Sequence, residues 1–207
     1  MKCISAVSIA AMTAALVVAT TVRAEETPPD VLVKTTTEEV LQVIKQNPDR
    51  NQLVKVAETK VLPHFDFERM TRLAVARSWN QATPDQRQRL QQEFRNLLVR
   101  TYTNAMMAGK QDNAAVQVEP VRQEKGGSEV SVNTRITRAG APPLPINYRM
   151  EKKPDGWKVY DVLVEGVSLV TTYRDSFQNE VQKGGVDGLI KTLSEKNRSL
   201  AAGKGTT

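Results

Sequence analysis

Cysteine is almost absent from this sequence: Cys3 stands alone, at the head of an apolar leader. A lipid-anchored protein needs its cysteine at the leader's far end, so that mode of attachment is excluded. Ile4 to Thr21 carries no charge, and Val22-Arg23-Ala24 sets small residues on either side of Arg23, where a signal peptidase cuts. Residues 1–24 therefore read as a cleaved signal peptide, with an uncleaved membrane anchor as the alternative because about 18 apolar residues approach a spanning length. The mature chain from Glu25 then has neither a disulfide nor a reactive thiol, and burial of apolar surface must hold it together.

Histidine is as scarce. His64 is the only one, so a His-rich metal site cannot be built, and any Ser/His/Asp triad would have to use it. Beside Pro63 at a helix end it reads as structural or solvent-facing. Gly166-Val167-Ser168-Leu169 starts like a nucleophile elbow but lacks the second glycine, so Ser168 reads as a helix N-cap. No Gly-rich phosphate loop is present, which removes the usual means of holding ATP or a dinucleotide. Basic residues are scattered: the formal charge of +6 falls to +4 without Lys2 and Arg23, and no dense stripe suggests nucleic acid as a partner. Paired carboxylates stay open, Asp161 with Glu165 and Asp66 with Glu68. The plainer role for Asp161 is as partner to a buried polar group or a nearby arginine.

What is present is a change of period. Helical spacing marks Asp30 to Gln46, with Thr36 and Glu39 as a candidate capping box, then Asp49 to Leu62, stopped by Pro63. Asp66 can cap a short helix through Ala76. Thr83-Pro84-Asp85-Gln86 opens a long one that ends at Gly109, with a stripe of Leu90, Phe94, Leu97, Leu98, Tyr102, Ala105 and Met106. Alternation then takes over at Val116 and Val118, at Val130 to Ile136, at Ile146 to Met150, and at Trp157 to Glu165. The last of these changes phase, which places a bulge near Tyr160-Asp161. Gly126-Gly127, a Pro142-Pro143 loop and Pro154-Asp155-Gly156 separate the strands, giving a four-stranded antiparallel meander ended by Gly166. Helices follow at about Val167 to Lys183 and Val186 to Ser199, with a disordered tail at 201–207. Helices, strands, then helices again define an α+β domain over residues 25–200. Periodicity alone leaves open whether its interior is filled or hollow.

Two segments carry a resemblance. One runs from Leu62-Pro63-His64-Phe65-Asp66-Phe67 through Ser78-Trp79-Asn80-Gln81-Ala82-Thr83-Pro84-Asp85-Gln86-Arg87 to Tyr102. The other is Gly156-Trp157-Lys158-Val159-Tyr160-Asp161-Val162-Leu163-Val164-Glu165-Gly166-Val167-Ser168-Leu169-Val170, continuing through Tyr173-Arg174 to Gly185-Val186-Asp187-Gly188-Leu189-Ile190. Together they resemble the MlaC family, also called toluene-tolerance or auxiliary ABC-transport substrate-binding proteins. In one place the pattern departs: Ala76-Arg77-Ser78 stands where family members commonly have a glycine.

The resemblance implies a periplasmic phospholipid carrier that works between an outer-membrane lipoprotein complex and an inner-membrane ABC transporter complex, in the service of outer-membrane lipid asymmetry. It implies a curved antiparallel sheet packed by helices around an apolar lipid cavity, with no enzymatic activity, no metal and no cofactor beyond the lipid cargo. The expected lining is Leu73, Phe94, Leu98, Tyr102, Met106, Ile146, Tyr148, Met150, Val162, Val164, Val167, Val170 and Tyr173, with Arg149 and Arg174 at the rim for headgroups. Two other readings compete. A small-ligand or enzymatic α+β cone would bring carboxylates together in a polar cavity, and a periplasmic chaperone or interaction module would hold no lipid.

Overall fold

The computed structural model describes residues 27–46, 48–108, 114–121 and 127–202. The expected signal peptide, Asn47, Gly109, Gly126 and residues 203–207 lie outside them. Helix α1 spans Pro29–Lys45 and passes straight through Thr36, so the helix starts at the Pro28-Pro29 pair and not at the expected capping box. Pro suits the first turn because the N–H it lacks has no partner there. Helix α2, Arg50–Val56, has the box instead: the Asp49 carboxylate accepts from the Gln52 N–H and the Gln52 side chain accepts from the Asp49 N–H, both at 2.8 Å. It loosens into a π turn at Ala57–Val61 and a 3₁₀ turn at Leu62–His64, neither with a buried residue.

Helix α3, Phe67–Val75, is capped by Asp66. It ends at Ala76, whose φ of 54° and ψ of −126° suit glycine. The alanine bears the strain of a Cβ in that conformation, within the Ala76-Arg77-Ser78 stretch where the resemblance departs. Ala76→Gly is expected to raise stability by about 1 kcal/mol, the strain relieved less the extra freedom of the unfolded chain. In a thermal melt this is a rise of about 2–4 °C. A fall in the melting temperature would refute the strain. A one-turn helix α4, Ser78–Gln81, leads into α5, Pro84–Ala108, where Thr83 and Gln86 form the expected reciprocal cap.

Five strands follow as an antiparallel meander in the order β1-β2-β3-β4-β5: Ala115–Val118, Glu129–Arg138, Ala141–Lys153, Gly156–Val164 and Val167–Ser168. The fifth is absent from the sequence expectation. Glu165 and Gly166 both take positive φ, 52° and 82°, as a tight two-residue hairpin turn requires, so Gly166 turns the sheet instead of ending it. Pro142 and Pro143 are not a loop but the start of β3. That end of the strand pairs with β2 only, because β4 joins at Ile146, and the register with β2 shifts there so that Pro142 and Pro143 together stand opposite Thr137, a bulge that tolerates proline. The bulge falls where expected: Arg149 faces Asp161 and Met150 faces Val159, which leaves Tyr160 as the extra residue.

Helix α6, Leu169–Ala201, is capped by Ser168, whose side chain accepts from the Thr171 N–H. The two expected helices are joined into it across a kink at Gly185, whose φ of 66° and ψ of −168° are open to glycine alone. Arg50 donates to the Leu200 and Ala201 carbonyls at 2.8 and 3.1 Å, fastening the end of α6 to the start of α2.

Apolar side chains gather in separate clusters. One is helical, with Met70, Leu90, Phe94, Leu97, Phe177 and Leu189 among its members. Another joins α1 to the sheet through Val33, Val132, Met150, Trp157, Val159 and Val162. A small third cluster of Leu41, Ala114 and Ile136 closes one corner. A single filled core would give one contiguous cluster. Here the helical layer and the sheet layer stand apart, with Phe65 packed against both.

Candidate functional site

The gap between those layers is a cavity of about 300 Å³. Its sheet side is Ile146, Tyr148 and Met150 of β3 with Val159, Val162 and Val164 of β4. The bulge at Tyr160 matters here. It resets the alternation so that Val159 and Val162 face the same side although they are three positions apart. Facing them are Leu98, Tyr102, Thr103 and Met106 of α5, and α1 closes a flank with Val33, Thr36, Thr37 and Val40. The irregular stretch after α2 supplies Ala57, Val61, Leu62 and His64.

No carboxylate, ammonium or guanidinium lines this wall among the described residues. His64 is its one imidazole, and burial lowers its pKa, with Lys158 adding to the effect and Glu39 opposing it. The group is therefore neutral near pH 7. Burial also pushes the Tyr102 phenol up to about 12 and raises that of Tyr148. Among the described residues no group of acidic, histidine or cysteine side chains could hold a metal ion. Among the described residues the polar groups of this wall are the His64 imidazole and the hydroxyls of Thr36, Thr37, Tyr102, Thr103 and Tyr148, set in an otherwise apolar lining.

The structure brings Leu98, Tyr102, Met106, Ile146, Tyr148, Met150, Val162 and Val164 together on this wall. The other residues expected there sit elsewhere. Phe94 and Val170 are fully packed in the helical core, with Leu73 and Tyr173 against it, and Val167 is 60% exposed on β5. Arg174 donates from Nε to the Leu73 carbonyl and so ties α6 to α3. Arg149 reaches Asp161 at 3.4 Å with about half of its side chain in solvent. Asp161 itself is buried and accepts from the Ser168 hydroxyl at 2.8 Å and, at 3.4 Å, from the Val170 N–H at the start of α6. It is a structural joint between sheet and helix, the plainer of the roles the sequence allowed.

Elsewhere the charges form a surface network at the ends of the strands. Arg69 of α3 meets Glu129 and Glu151 at 2.7 Å each and lies over the Tyr160 ring, and Lys153 meets Glu151 and Asp66. Hydrogen bonds from Arg69 hold the Glu129 carboxyl below the ordinary range, and those from Lys153 and Arg69 do the same for Glu151.

Fold and site together define an α+β binding domain with an uncharged, apolar interior. The family model described as MlaC protein matches residues 34–195, and the chain belongs to that family. The toluene tolerance protein ttg2D of Pseudomonas putida is 30% identical over 176 residues, covering 82% of this chain and 80% of that protein. The intermembrane phospholipid transport system binding protein MlaC of Haemophilus influenzae is 24% identical over 192 residues, covering 89% and 88%. Among solved structures, a phospholipid-binding protein from Ralstonia solanacearum in complex with a phospholipid superposes with a TM-score of 0.76 at 36% identity, covering 84% of this chain and 99% of that one.

Proposed function

We propose that this protein is a periplasmic phospholipid carrier, exported by cleavage of residues 1–24, and that it performs no covalent chemistry. The observation that carries the proposal is a cavity without formal charge, set between two apolar layers that do not merge. The phospholipid held by the Ralstonia solanacearum protein supports it.

The energetics explain why such a carrier is needed. A diacyl phospholipid has about 30 methylenes, each worth roughly 0.8 kcal/mol when removed from water. The sum, on the order of 20–25 kcal/mol, forbids free passage through an aqueous compartment. An interior that resembles the bilayer removes this barrier without any chemical step. Donor and acceptor are then close in free energy, and direction comes from the partners, an outer-membrane lipoprotein complex and an inner-membrane ABC transporter complex that hydrolyses ATP. The cavity of about 300 Å³ is small for acyl chains, so uptake widens it. The wall that can yield is Ala57 to His64, where no residue is buried and the helix has already lost its regular bonding.

Mass spectrometry of an organic extract tests the proposal, on protein purified from its native compartment without detergent. Phospholipid close to one molecule per chain is expected. Repeated preparations free of lipid, from protein that remains folded, would overturn it.

A further inference from the structure

One side of the cavity is closed by a single thickness of chain, the stretch that joins α2 to α3. Ala57, Val61, Leu62 and His64 border the cavity, yet each is only half-buried. Glu58, Thr59, Lys60 and Pro63 between them are exposed. One face of the stretch is thus cavity wall and the other is protein surface.

Its irregular backbone has a local cause. Pro63 has no N–H to offer the carbonyl one turn before it, so a regular helix cannot run through this point. The Leu62 N–H bonds instead to the Ala57 carbonyl, and the Phe65 N–H to the Leu62 carbonyl. Both ends, by contrast, are firm. Ahead of the stretch Leu53 is buried, and Arg50 ties α2 to α6. Behind it the Asp66 N–H donates to the Val159 carbonyl of β4 at 2.8 Å, and Asp66 caps α3.

Between these posts, polar contacts at the surface hold the stretch on three sides. Lys60 meets Glu39 of α1 at 3.0 Å, each with about half of its side chain in solvent. Glu58 meets Arg95 of α5 at 3.9 Å. The Pro63 carbonyl accepts from Nζ of Lys158 on β4 at 2.8 Å, and that ammonium also meets Asp155. Helices α1 and α5 and strand β4 all supply other parts of the cavity wall, so the contacts bridge the stretch to its neighbours there. Exposed ion pairs are weak and break readily. The remaining walls are committed elsewhere: α5 packs on α6 through Phe94, and β3 and β4 are bonded along their length. Moving either costs far more than parting the surface contacts.

We propose that residues 57–64 form a strap that swings outward to pass a lipid, and that these three contacts latch it shut and set the rate of exchange. The inference rests on the carrier reading and specifies how the same cavity opens.

The mature chain has no cysteine, which permits a selective test. Glu39→Cys with Lys60→Cys is bridged by a short bismaleimide in the full mature chain, after loading with a fluorescent phosphatidylcholine. Transfer to phosphatidylcholine vesicles, which carry no net charge, is then followed in time. The bridged protein is expected to release lipid at roughly a tenth of the rate, or less, of the same variant capped with a monofunctional maleimide. A bridge between Arg89→Cys and Asp187→Cys, a surface pair of α5 and α6, should leave the rate unchanged. Without any bridge, Glu39→Gln and Glu58→Gln should each speed release by about threefold. Reversing the first pair, Glu39→Lys with Lys60→Glu, should restore the wild-type rate. Undiminished release from the bridged strap overturns the proposal and leaves the carrier reading intact. Equal slowing by the α5–α6 bridge overturns it too, because general stiffening then explains the effect. Rates unmoved by both glutamine variants overturn the latches. Wild-type protein that takes up no phospholipid overturns the carrier reading as well.

Discussion

Phe94→Ala is expected to reduce folding stability by about 3–5 kcal/mol, measured by urea denaturation. Phe94 is wholly buried, and its ring stands edge-on to both Tyr173 and Phe177 at 5.2 Å, so one side chain fastens α5 to the first half of α6. Truncation removes the ring's burial, leaves a hole that two aromatic neighbours cannot fill by rotation, and ends both edge contacts. A loss below about 1 kcal/mol would show instead that the helices close over the gap. The ring does not border the cavity, so the fraction that remains folded should hold its usual complement of lipid.

Leu98→Glu should produce the complementary result. This residue lies one turn further along the same helix, but it faces the cavity. A carboxylate there sits against the acyl chains and must either keep its water, and exclude them, or give up its charge. A penalty of about 3 kcal/mol is a fall in lipid occupancy of about a hundredfold, read as lipid per folded protein by extraction and mass spectrometry. Gln88→Glu adds the same charge on an exposed position of the same helix and should leave occupancy unchanged. Undiminished lipid in Leu98→Glu would mean that the chains do not pass this residue.

Those two residues also mark the limit of what the sequence discloses. Phe94 and Leu98 belong to one apolar stripe, and periodicity shows that both turn inward. It does not show what faces them. Phe94 meets rings, whereas Leu98, buried in the same helical cluster, also borders the cavity, a difference set by how far the sheet stands from α5. The sheet's meander, the bulge at Tyr160, the Thr83 and Ser168 caps and the break at Gly185 were legible because each has a local chemical cause. Less legible were features with distant causes. Pro142 and Pro143 suggest a loop until one knows that β4 does not reach them. The two-residue strand Val167–Ser168 is too short for alternation to register. Val33 and Val40 of α1 show helical spacing, but nothing local tells that this stripe faces the cavity, and the polar Thr36 and Thr37 beside it give no apolar signal.

The uncharged lining has a corollary for how such a protein responds to its surroundings. Dissolved ions screen interactions between separated charges, and they find none to weaken in the interior. Ionic strength therefore acts on the outside of the molecule, where Arg69, Lys153 and their carboxylates lie, and on the encounters made there. Screening therefore leaves contacts at the lining untouched and reaches only those made at the charged outer surface.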